Sequence, residues 1–250
     1  MNKPFLSVVV PAYNEEANFK REGLEAVYDY LTKQAYSFEL ILIDDGSTDK
    51  TLNNLNEFAR GKAEVRVIKS PHRGKGPTVK EGMLQARGVN RLFTDFDQST
   101  PIREVEKLLQ YRQEGFEIVI GSREATGAKR EAEPWYRHLM GKGFNLGVKL
   151  LTVKGIKDTQ CGFKLFSEKV ARDIFSRIIV TLIPRKDAFT GALDVELLYL
   201  AQKRHYRIAE VPVHWQHIKS TRVNPVRDSV RMAVEVIRIK LADLEGRYEI

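Results

Sequence analysis

Two carboxylates separated by a single residue, Asp95 and Asp97, follow a short apolar segment of the chain. Like charges at this spacing repel one another and lose hydration when they are buried, so they need a counter-charge. Hard oxygen ligands of this type suit Mg²⁺ or Mn²⁺, which also takes substrate phosphates as ligands. A solvated acidic turn is the alternative interpretation, and the position of the pair beyond a predicted strand favours the metal site.

Three further polar segments offer chemistry that complements an acidic metal site. Residues 11–15, Pro-Ala-Tyr-Asn-Glu, combine an aromatic ring and a carboxylate in a way that suits a nucleobase. Residues 44–47, Asp-Asp-Gly-Ser, provide a second acidic group for a base or a ribose. Residues 73–76, Arg-Gly-Lys-Gly, combine cations for phosphate with glycines that permit close backbone approach. Each segment alone also fits an ordinary turn with helix caps.

The elements that must position these segments alternate between strand and helix. Apolar, β-branched runs predict strands over residues 5–10, 38–43, 65–68 and 91–94. Helical spacing or capping residues predict helices over about 15–35, 47–59 and 78–87. This alternation indicates one α/β domain with a mainly parallel central sheet flanked by helices. Since ligands gather beyond the carboxyl ends of parallel strands, the four polar segments should converge on one edge of the sheet.

The remainder of the chain continues this pattern less regularly. Its predicted elements are strands at 117–120, within 158–166 and at 208–213, a mobile loop at 124–134, and helices at 135–151 and 194–202. A long C-terminal amphipathic helix is predicted from about residue 226. We expect its apolar stripe to face the core rather than a membrane; the stripe consists of Val226, Val230, Ala233, Val234, Ile237, Leu241 and Leu244.

The composition excludes several classes of protein. The 250 residues are 42% hydrophobic and 30% charged, which provides for a sizeable core and excludes a disordered or collagen-like chain. The single cysteine, Cys161, excludes an internal disulfide and indicates a reducing compartment. No apolar run reaches the roughly 18 residues of a membrane-spanning helix, and no signal peptide is recognisable. We therefore expect a cytoplasmic protein that at most touches a membrane.

Positive charge is concentrated in the second half of the sequence. The chain carries 41 Lys and Arg against 33 Asp and Glu, a net charge of +8. Residues 1–120 hold 17 cations against 18 anions, a balance of −1, whereas residues 121–250 hold 24 against 15, a balance of +9. This distribution suggests an anionic partner for the second half: a phosphorylated substrate, an anionic membrane surface or nucleic acid, with a solvated basic face as the alternative.

Together the motifs resemble the family 2 glycosyltransferases, which have a GT-A, Rossmann-like fold. The segments that carry this resemblance are residues 8–15, 43–49, 74–76 and 95–101. Five more segments are similar to dolichyl-phosphate β-glucosyltransferases and their prokaryotic polyprenyl-phosphate relatives: residues 121–123, 134–137, 158–166, 194–198 and 223–232. The resemblance implies a single domain over 1–250, with a nucleotide-binding half, 1–120, and an acceptor-binding half, 121–250.

The resemblance implies metal-dependent transfer of a sugar with inversion, with UDP-glucose as the expected donor and a polyprenyl or dolichyl phosphate as acceptor. Nucleotide-sugar binding is then assigned to Pro11, Ala12, Tyr13, Glu15, Ile43, Asp45, Lys75 and Asp95. The metal, Mg²⁺ or Mn²⁺, is assigned to Asp95, Asp97 and Ser99. Acceptor-phosphate binding is assigned to Arg123, Arg137, Lys219, Ser220, Arg222 and Arg227.

The acceptor that the resemblance implies needs little activation. A phosphate monoester, whose second pKa is about 6, is largely ionised at neutral pH and needs charge compensation and alignment more than a general base. Asp158 is the candidate to face the anomeric carbon, as base or electrostatic partner, and Asp194 is the second candidate, although a helix-cap role fits Asp194 equally well. A lipid acceptor implies peripheral contact with the cytoplasmic face of a membrane, through the basic face and residues 135–151.

Other functions stay open at this stage. A family 2 glycosyltransferase could use another nucleotide sugar, such as GDP-mannose, or a soluble acceptor. A nucleotidyltransferase is a further candidate, although the glycine-rich start it needs after the first strand is missing. A nucleic-acid-binding protein would use the basic charge, but the Asp95 and Asp97 pair argues against it, and no nucleic-acid partner is expected. The missing G-x-G-x-x-G motif also disfavours dinucleotide binding.

Overall fold

The computed structural model describes residues 3–19, 23–130, 153–182, 192–218 and 225–249. The described helices are α1 Glu16–Phe19, α2 Gly23–Thr32, α3 Thr51–Ala59, α4 Lys75–Gln85, α5 Val105–Gln113, α6 Glu168–Arg177, α7 Leu193–Lys203 and α8 Pro225–Leu244. The strands are β1 Leu6–Ala12, β2 Phe38–Asp45, β3 Val65–Ser70, β4 Asn90–Thr94, β5 Ile118–Ser122, β6 Lys129–Arg130, β7 Phe163–Ser167, β8 Ile208–Pro212 and β9 His214–Trp215. The helix predicted at 135–151 lies outside the described residues.

Seven of these strands form one mainly parallel sheet, in the order β3-β2-β1-β4-β7-β5-β8. The strands β1 to β4 are parallel to one another, as are β5 and β8. The exception is β7, which runs antiparallel to both β4 and β5. The predicted α/β class and mainly parallel sheet are therefore confirmed.

Helices cover both faces of the sheet because its central strands are apolar on both sides. Alternate side chains of β1 and β2 pack into two separate core clusters, Val9 and Ile41 into one, Val8 and Leu40 into the other. The first cluster also contains buried residues of α4, α6, α7 and α8, and the second contains those of α2, α3 and α5. Such two-sided burial leaves the strand ends as the place where polar groups can gather.

Two predictions for the second half of the chain need correction. The loop predicted at 124–134 is confirmed over residues 124–128, but residues 129 and 130 form β6, which pairs in parallel with β9, and residues 131–134 lie outside the described residues. The apolar stripe of α8 does not face the core: the side chains of Val230, Val234, Ile237, Leu241 and Leu244 are exposed. The helix packs instead through Val236, Ile239 and Ala242, which lie on its opposite side and belong to the core.

Candidate active site

The segments that follow β1 and β2 are joined by hydrogen bonds between their loops. The backbone N–H of Asn14 donates to Ser47 Oγ at 2.9 Å, and that of Thr48 donates to Asn14 Oδ1 at 2.8 Å. The backbone N–H of Glu15 donates to Thr51 Oγ1, at the start of α3, at 2.7 Å. Two of the four polar segments therefore meet at one edge of the sheet, as predicted.

The third segment is attached through the buried carboxylate of Asp45. Its Oδ1 accepts from the backbone N–H of Arg73 at 2.9 Å, and its Oδ2 accepts from that of Gly74 at 2.9 Å. The same Oδ2 lies 2.8 Å from Nδ1 of His72, whose ring stacks on Tyr13 with centroids 4.0 Å apart. Asp45 thus organises the predicted base site by fastening the glycine-rich turn to the end of β2.

His72 is a site residue that the sequence analysis missed, because a lone histidine outside any motif carries no signal. Its place depends on Gly46, whose φ is +68° and where a Cβ would lie 2.5 Å from the backbone nitrogen of His72. Only glycine permits this approach between the two turns. The sequence shows the glycine, and the structure shows which residue needs it.

Three residues assigned to nucleotide binding lie in the strands themselves. Ala12 and Ile43 are 2% and 0% exposed, respectively, and belong to the core. Pro11 is half-buried and pairs with Ile43 in the register of β1 and β2. The side chains of Ala12 and Ile43 are therefore enclosed in the core, and that of Pro11 is partly exposed.

The third and fourth segments meet at the N-terminus of α4. Gly74, with a φ of 95°, precedes the helix, and Pro77 occupies its first turn, where a missing N–H costs nothing. Lys75, the first helical residue, donates from Nζ to Asp95 Oδ1 at 2.6 Å. The positive end of the helix dipole and the lysine therefore lie beside the acidic pair, an arrangement that suits a diphosphate.

The charges at this edge are unevenly balanced. Burial favours the neutral amine of Lys75, but the carboxylates of Asp95, Asp194 and Asp97 outweigh that effect and raise its pKa. Burial and the neighbouring Asp95 raise the pKa of Asp97, although hydrogen bonds from the backbone and hydroxyl of Ser99 oppose the shift. Burial and the neighbouring carboxylate thus both disfavour the ionised form of Asp97.

The antiparallel strand β7 brings a distant segment to the same edge. Because β7 runs against β4, its first residue, Phe163, pairs with Thr94 at the carboxyl end of β4. Gly162, immediately before β7, lies directly under the acidic pair, and a Cβ there would come within 2.0 Å of Asp95 Oδ2. The direction of β7 therefore brings groups from the second half of the chain next to the acidic pair.

Asp194 takes part in a buried ion pair. Lys164, on β7, is fully buried, and its Nζ donates to Asp194 Oδ1 and, at 2.5 Å, to the backbone oxygen of Cys161. Asp194 lies in the first turn of α7, where the helix dipole favours a negative charge. Lys164 was not assigned to the site from the sequence, and it links the start of α7 to the segment before β7.

The carboxylate of Asp158 forms an ion pair with Arg123. Its two carboxylate oxygens accept from Nε and Nη2 of Arg123 at 2.7 and 2.9 Å, and Oδ2 also accepts from the Arg123 backbone at 2.9 Å. Burial alone would raise the pKa of Asp158, but Arg123 outweighs it and lowers the pKa to about 2. The guanidinium of Arg123 lies 5.5 Å from the ring of Trp215 on β9. The carboxylate is thus ionised at any physiological pH and holds Arg123 at the end of β5.

The other residues assigned to the acceptor phosphate cannot be placed beside Arg123. Arg137, Lys219, Ser220 and Arg222 lie outside the described residues. Arg227 lies in the first turn of α8, and the structure describes its backbone only.

A second buried carboxylate of α7, Glu196, organises the wall of the site. It accepts backbone N–H bonds from Ile179, Val180 and Thr181 at 2.8 to 2.9 Å, and the Thr181 hydroxyl donates to it at 2.6 Å. The carbonyl oxygen of Thr181 in turn packs on Gly76, where a Cβ would approach it to 2.5 Å. Glu196 was missed as a site residue, although it stands in the segment 194–198 that carries the family resemblance.

Membrane-spanning helices and clusters of metal-ligating side chains are both absent from the described residues. Within them, no helix combines the length and apolarity needed to cross a bilayer. Within them also, no cluster of three or more His, Cys, Asp or Glu side chains has the arrangement of a metal site. Asp95 and Asp97 therefore stand as a pair of carboxylates, without a metal-type cluster around them among the described residues.

Comparison with known proteins adds independent evidence. A model of Glycosyl transferase family 2 matches residues 7–175. The dolichyl-phosphate beta-glucosyltransferases of Dictyostelium discoideum and Homo sapiens are each 36% identical to this chain, covering 98% of it and 77% and 78% of their own lengths. A mannosyltransferase from Pyrobaculum calidifontis, solved with GDP-Man and Mn²⁺, superimposes with a TM-score of 0.60 at 17% identity, over 98% of this chain and 65% of that one.

Proposed function

The chain belongs to glycosyl transferase family 2 and is a glycosyltransferase of GT-A fold, and from this premise we propose that it transfers glucose from UDP-glucose to a polyprenyl phosphate of the dolichyl type, with inversion. One observation carries the proposal. The acidic pair, the start of α4 and the stack of Tyr13 on His72 share one sheet edge with Arg123, next to the position where an acceptor would enter. The names of the relatives supply the lipid acceptor and the sugar.

The donor would bind along β1, β2 and α4. The aromatic ring of Tyr13 offers a stacking face for the base, and Glu15 and Asp45 stand at the neighbouring loop ends. The N-terminus of α4 and Lys75 would face the diphosphate, whose negative charge they complement. In this arrangement Asp45 acts chiefly by holding the turn that begins α4 in place.

The acidic pair fits a divalent cation, because Asp95 and Asp97 offer hard carboxylate oxygens from one turn beside the N-terminus of α4. Asp95 and Asp97, with Ser99, would hold Mg²⁺ or Mn²⁺, as the donor set allows either. Such an ion, when bound, supplies positive charge that stabilises the leaving nucleoside diphosphate. Lys75 contributes charge of the same sign from the side of α4.

The acceptor phosphate would approach from the side of Arg123. The phosphate monoester is already largely ionised, so the reaction needs alignment and charge compensation rather than removal of a proton. Asp158, with a pKa of about 2 and both oxygens engaged by Arg123, is then the electrostatic partner that orients the arginine. Of the two roles predicted for Asp158, this geometry favours the positioning role over the role of general base.

A lipid acceptor also sets the place of action. Polyprenyl phosphates carry their phosphate at a membrane surface, and a donor such as UDP-glucose is water-soluble. The enzyme would therefore act in peripheral contact with the cytoplasmic face of a membrane, and the excess positive charge of residues 121–250 would favour anionic headgroups.

The test is a transfer assay with radiolabelled UDP-glucose, Mg²⁺ or Mn²⁺, and a detergent-solubilised polyprenyl phosphate, with product extracted into organic solvent. We expect label in the organic phase and a loss of about 10³-fold in Asp97→Ala, the size of effect expected when a charge-stabilising group is removed. Glu57→Gln, on the exposed side of α3, is the matched control and should retain full activity.

The outcome also separates the competing assignments. Transfer only from GDP-mannose, or only to a soluble acceptor, would retain the family and replace the donor or acceptor named above. Absence of both transfer and metal-dependent UDP binding would refute the proposal.

A further inference from the structure

Exposed large hydrophobic side chains are concentrated on the C-terminal helix. Of the six such side chains among the described residues, five lie on α8, namely Val230, Val234, Ile237, Leu241 and Leu244, which we call the outer stripe. The sixth, Val89, lies in the turn before β4. Isolated exposed apolar residues are ordinary on protein surfaces, whereas a contiguous row of them marks a binding surface.

The outer stripe is a second apolar face on a helix that is already anchored. Its residues recur at intervals of four and three, so they share one side of the helix over a length of about 21 Å. On the opposite side, Val236, Ile239 and Ala242 are at most 2% exposed and pack into the core. Contact with the other residues that the structure describes therefore does not account for the outer stripe.

The charges of α8 are segregated between these two sides. Between Val230 and Leu244, the exposed side chains are all apolar except that of Arg238. Two more cations, Arg231 and Lys240, are half-buried at opposite edges of the stripe. The acidic residues of the same stretch are Glu235, which is buried, and Asp243, which accepts a hydrogen bond from Tyr199 and pairs with Lys203. Between Val230 and Leu244 the outward side thus joins apolar side chains to the positive charge of Arg238, and the exposed Glu245, which follows the stripe, lies 3.8 Å from Arg247.

This charge pattern selects among the partners that an apolar helix face can have. The 4-3 spacing would also suit a coiled-coil seam with a second copy of the chain. In such a seam, the residues that flank the apolar row face their equivalents in the partner helix. Here they include the exposed Arg238, so two parallel copies in register would bring like charges together. An anionic lipid surface complements the same pattern.

We propose that the outer stripe of α8 docks onto an anionic membrane surface, with the helix axis lying in the plane of the interface. The apolar side chains enter the boundary between headgroups and acyl chains, while the exposed Arg238 faces the anionic headgroups. Lys240, at the edge of the stripe, donates to the hydroxyl of Tyr199 at 3.3 Å. This inference rests on the proposed lipid acceptor and assigns the membrane contact to a particular surface. It replaces the predicted core-facing role of these residues.

The inner side of α8 connects this surface to the active site. Oε2 of the buried Glu235 accepts from the backbone N–H of Ala192, the residue that precedes α7 and lies two positions before Asp194. Tyr248, just beyond α8, donates to Glu196 at 2.5 Å. A membrane-bound α8 would therefore hold the acceptor side of the site at a defined position relative to the lipid surface.

The test measures vesicle binding by the full chain, without donor or acceptor. The vesicles are phosphatidylcholine alone or mixed with phosphatidylglycerol, and binding is followed by flotation. We expect the protein to float with the anionic vesicles and the double variant Ile237→Gln/Leu241→Gln to bind about tenfold more weakly, because two apolar side chains are lost from the buried face. Arg238→Gln should reduce binding about threefold, on anionic vesicles only. Val89→Gln, which removes the exposed apolar residue outside α8, should bind as the unmodified protein does.

Three results would overturn the proposal. These are no flotation of the unmodified protein, equal flotation of the double variant, and a concentration-dependent dimer in sedimentation that the double variant abolishes, since that dimer would identify a second copy as the partner. Circular dichroism of each variant checks that the fold is kept. The transfer assay with detergent-solubilised acceptor runs in parallel. Vesicle binding without transfer would refute the proposed function alone, and transfer without vesicle binding would refute the docking surface alone.

Discussion

The two halves of the molecule hold their acidic groups in different ways. In residues 1–120, Asp45 and Asp97 accept hydrogen bonds from the backbone of turns at the sheet edge, at Arg73, Gly74 and Ser99. In residues 121–250, two buried carboxylates pair with cationic side chains, Asp158 with Arg123 and Asp194 with Lys164, and the buried Glu196 accepts from residues 179–181 and from Tyr248. The first arrangement is built on the backbone of turns, and the second includes ion pairs between side chains of separate elements. Substitutions in the second half should therefore affect stability most, and substitutions in the first should affect ligand binding.

The largest effect is expected for Glu196→Ala. This change removes the acceptor for three backbone N–H groups and two hydroxyl groups, most of them buried. Since each unsatisfied buried donor costs about 1–3 kcal/mol, we expect the free energy of unfolding to fall by about 4 kcal/mol or more. In a chain of this length that corresponds to a decrease of about 10 °C in Tm, measured by calorimetry.

Two controls sharpen this prediction. Glu57→Ala, on the exposed side of α3, should change the free energy of unfolding by no more than about 0.5 kcal/mol. Tyr248→Phe removes a single hydrogen bond from the same carboxylate and should cost about 1 kcal/mol. A Tm of Glu196→Ala close to that of the unmodified protein would show that these bonds do not hold the wall of the site.

Asp158→Asn tests the second buried carboxylate through pH. Its pKa is lowered from 3.8 to about 2 in the folded protein, so its contribution to stability is present above about pH 4 and is lost as the pH falls towards 2. The shift corresponds to about 2 kcal/mol. We therefore expect the variant to be less stable by that amount at pH 7, and the difference from the unmodified protein to vanish between pH 4 and pH 2 in urea unfolding experiments.

The kinetics of Asp158→Asn separate its two predicted roles. If Asp158 positions Arg123, the KM for the acceptor should rise about tenfold with kcat nearly unchanged, as expected when a supporting hydrogen bond to a binding group is lost. A large loss of kcat with an unchanged acceptor KM would instead identify Asp158 as the general base.

The same contrast between the halves explains how far the sequence could predict the site. The residues after β1 to β4 lie in short motifs at strand ends, and the rule for parallel sheets places such ends together, so their convergence was predicted correctly. Lys164 and Glu196 gave no comparable signal, because neither lies in a turn at the carboxyl end of a predicted parallel strand. The antiparallel direction of β7 was also unpredictable, since an apolar run does not reveal the direction of a strand.

Two further errors concern helices whose apolar spacing is visible in the sequence. The helix α5 was missed although Val105, Leu108 and Leu109 follow helical spacing, so the signal was present. The stripe on α8 was assigned to the core because an apolar row on a helix usually faces inwards, and only the packing of Val236 and Ile239 shows that this helix is anchored by its other side. Periodicity identifies an apolar face and does not say what the face contacts.

Gly162→Ala tests the point where the two halves meet. The new Cβ would lie 2.0 Å from Asp95 Oδ2, so the carboxylate has to move, and its side chain is 40% exposed and free to do so. We expect the metal concentration that gives half-maximal transfer to rise about tenfold, with little change in Tm, as is typical when a neighbour that orients a metal ligand is altered. Gly23→Ala, where the added Cβ makes only ordinary contacts, is the matched control. An unchanged metal dependence would separate Asp95 from the metal site.

The smallest effect is expected for His72→Asn, and we expect it to weaken only the binding of the nucleotide donor. Asparagine keeps a polar group near Asp45 but removes the ring that stacks on Tyr13. An aromatic pair contributes about 0.5–1.5 kcal/mol beyond its buried area, so the Kd for UDP, measured by calorimetry, should rise about three- to tenfold, with the acceptor KM unchanged. His205→Asn is the control, because His205 is exposed in a turn with a φ of 57°, a conformation that asparagine also adopts. If His72→Asn instead lowered Tm as much as Asp158→Asn does, His72 would serve mainly the stability of the fold. The expected difference, by which substitutions in the first half affect ligand binding and those in the second half affect stability, would then be refuted.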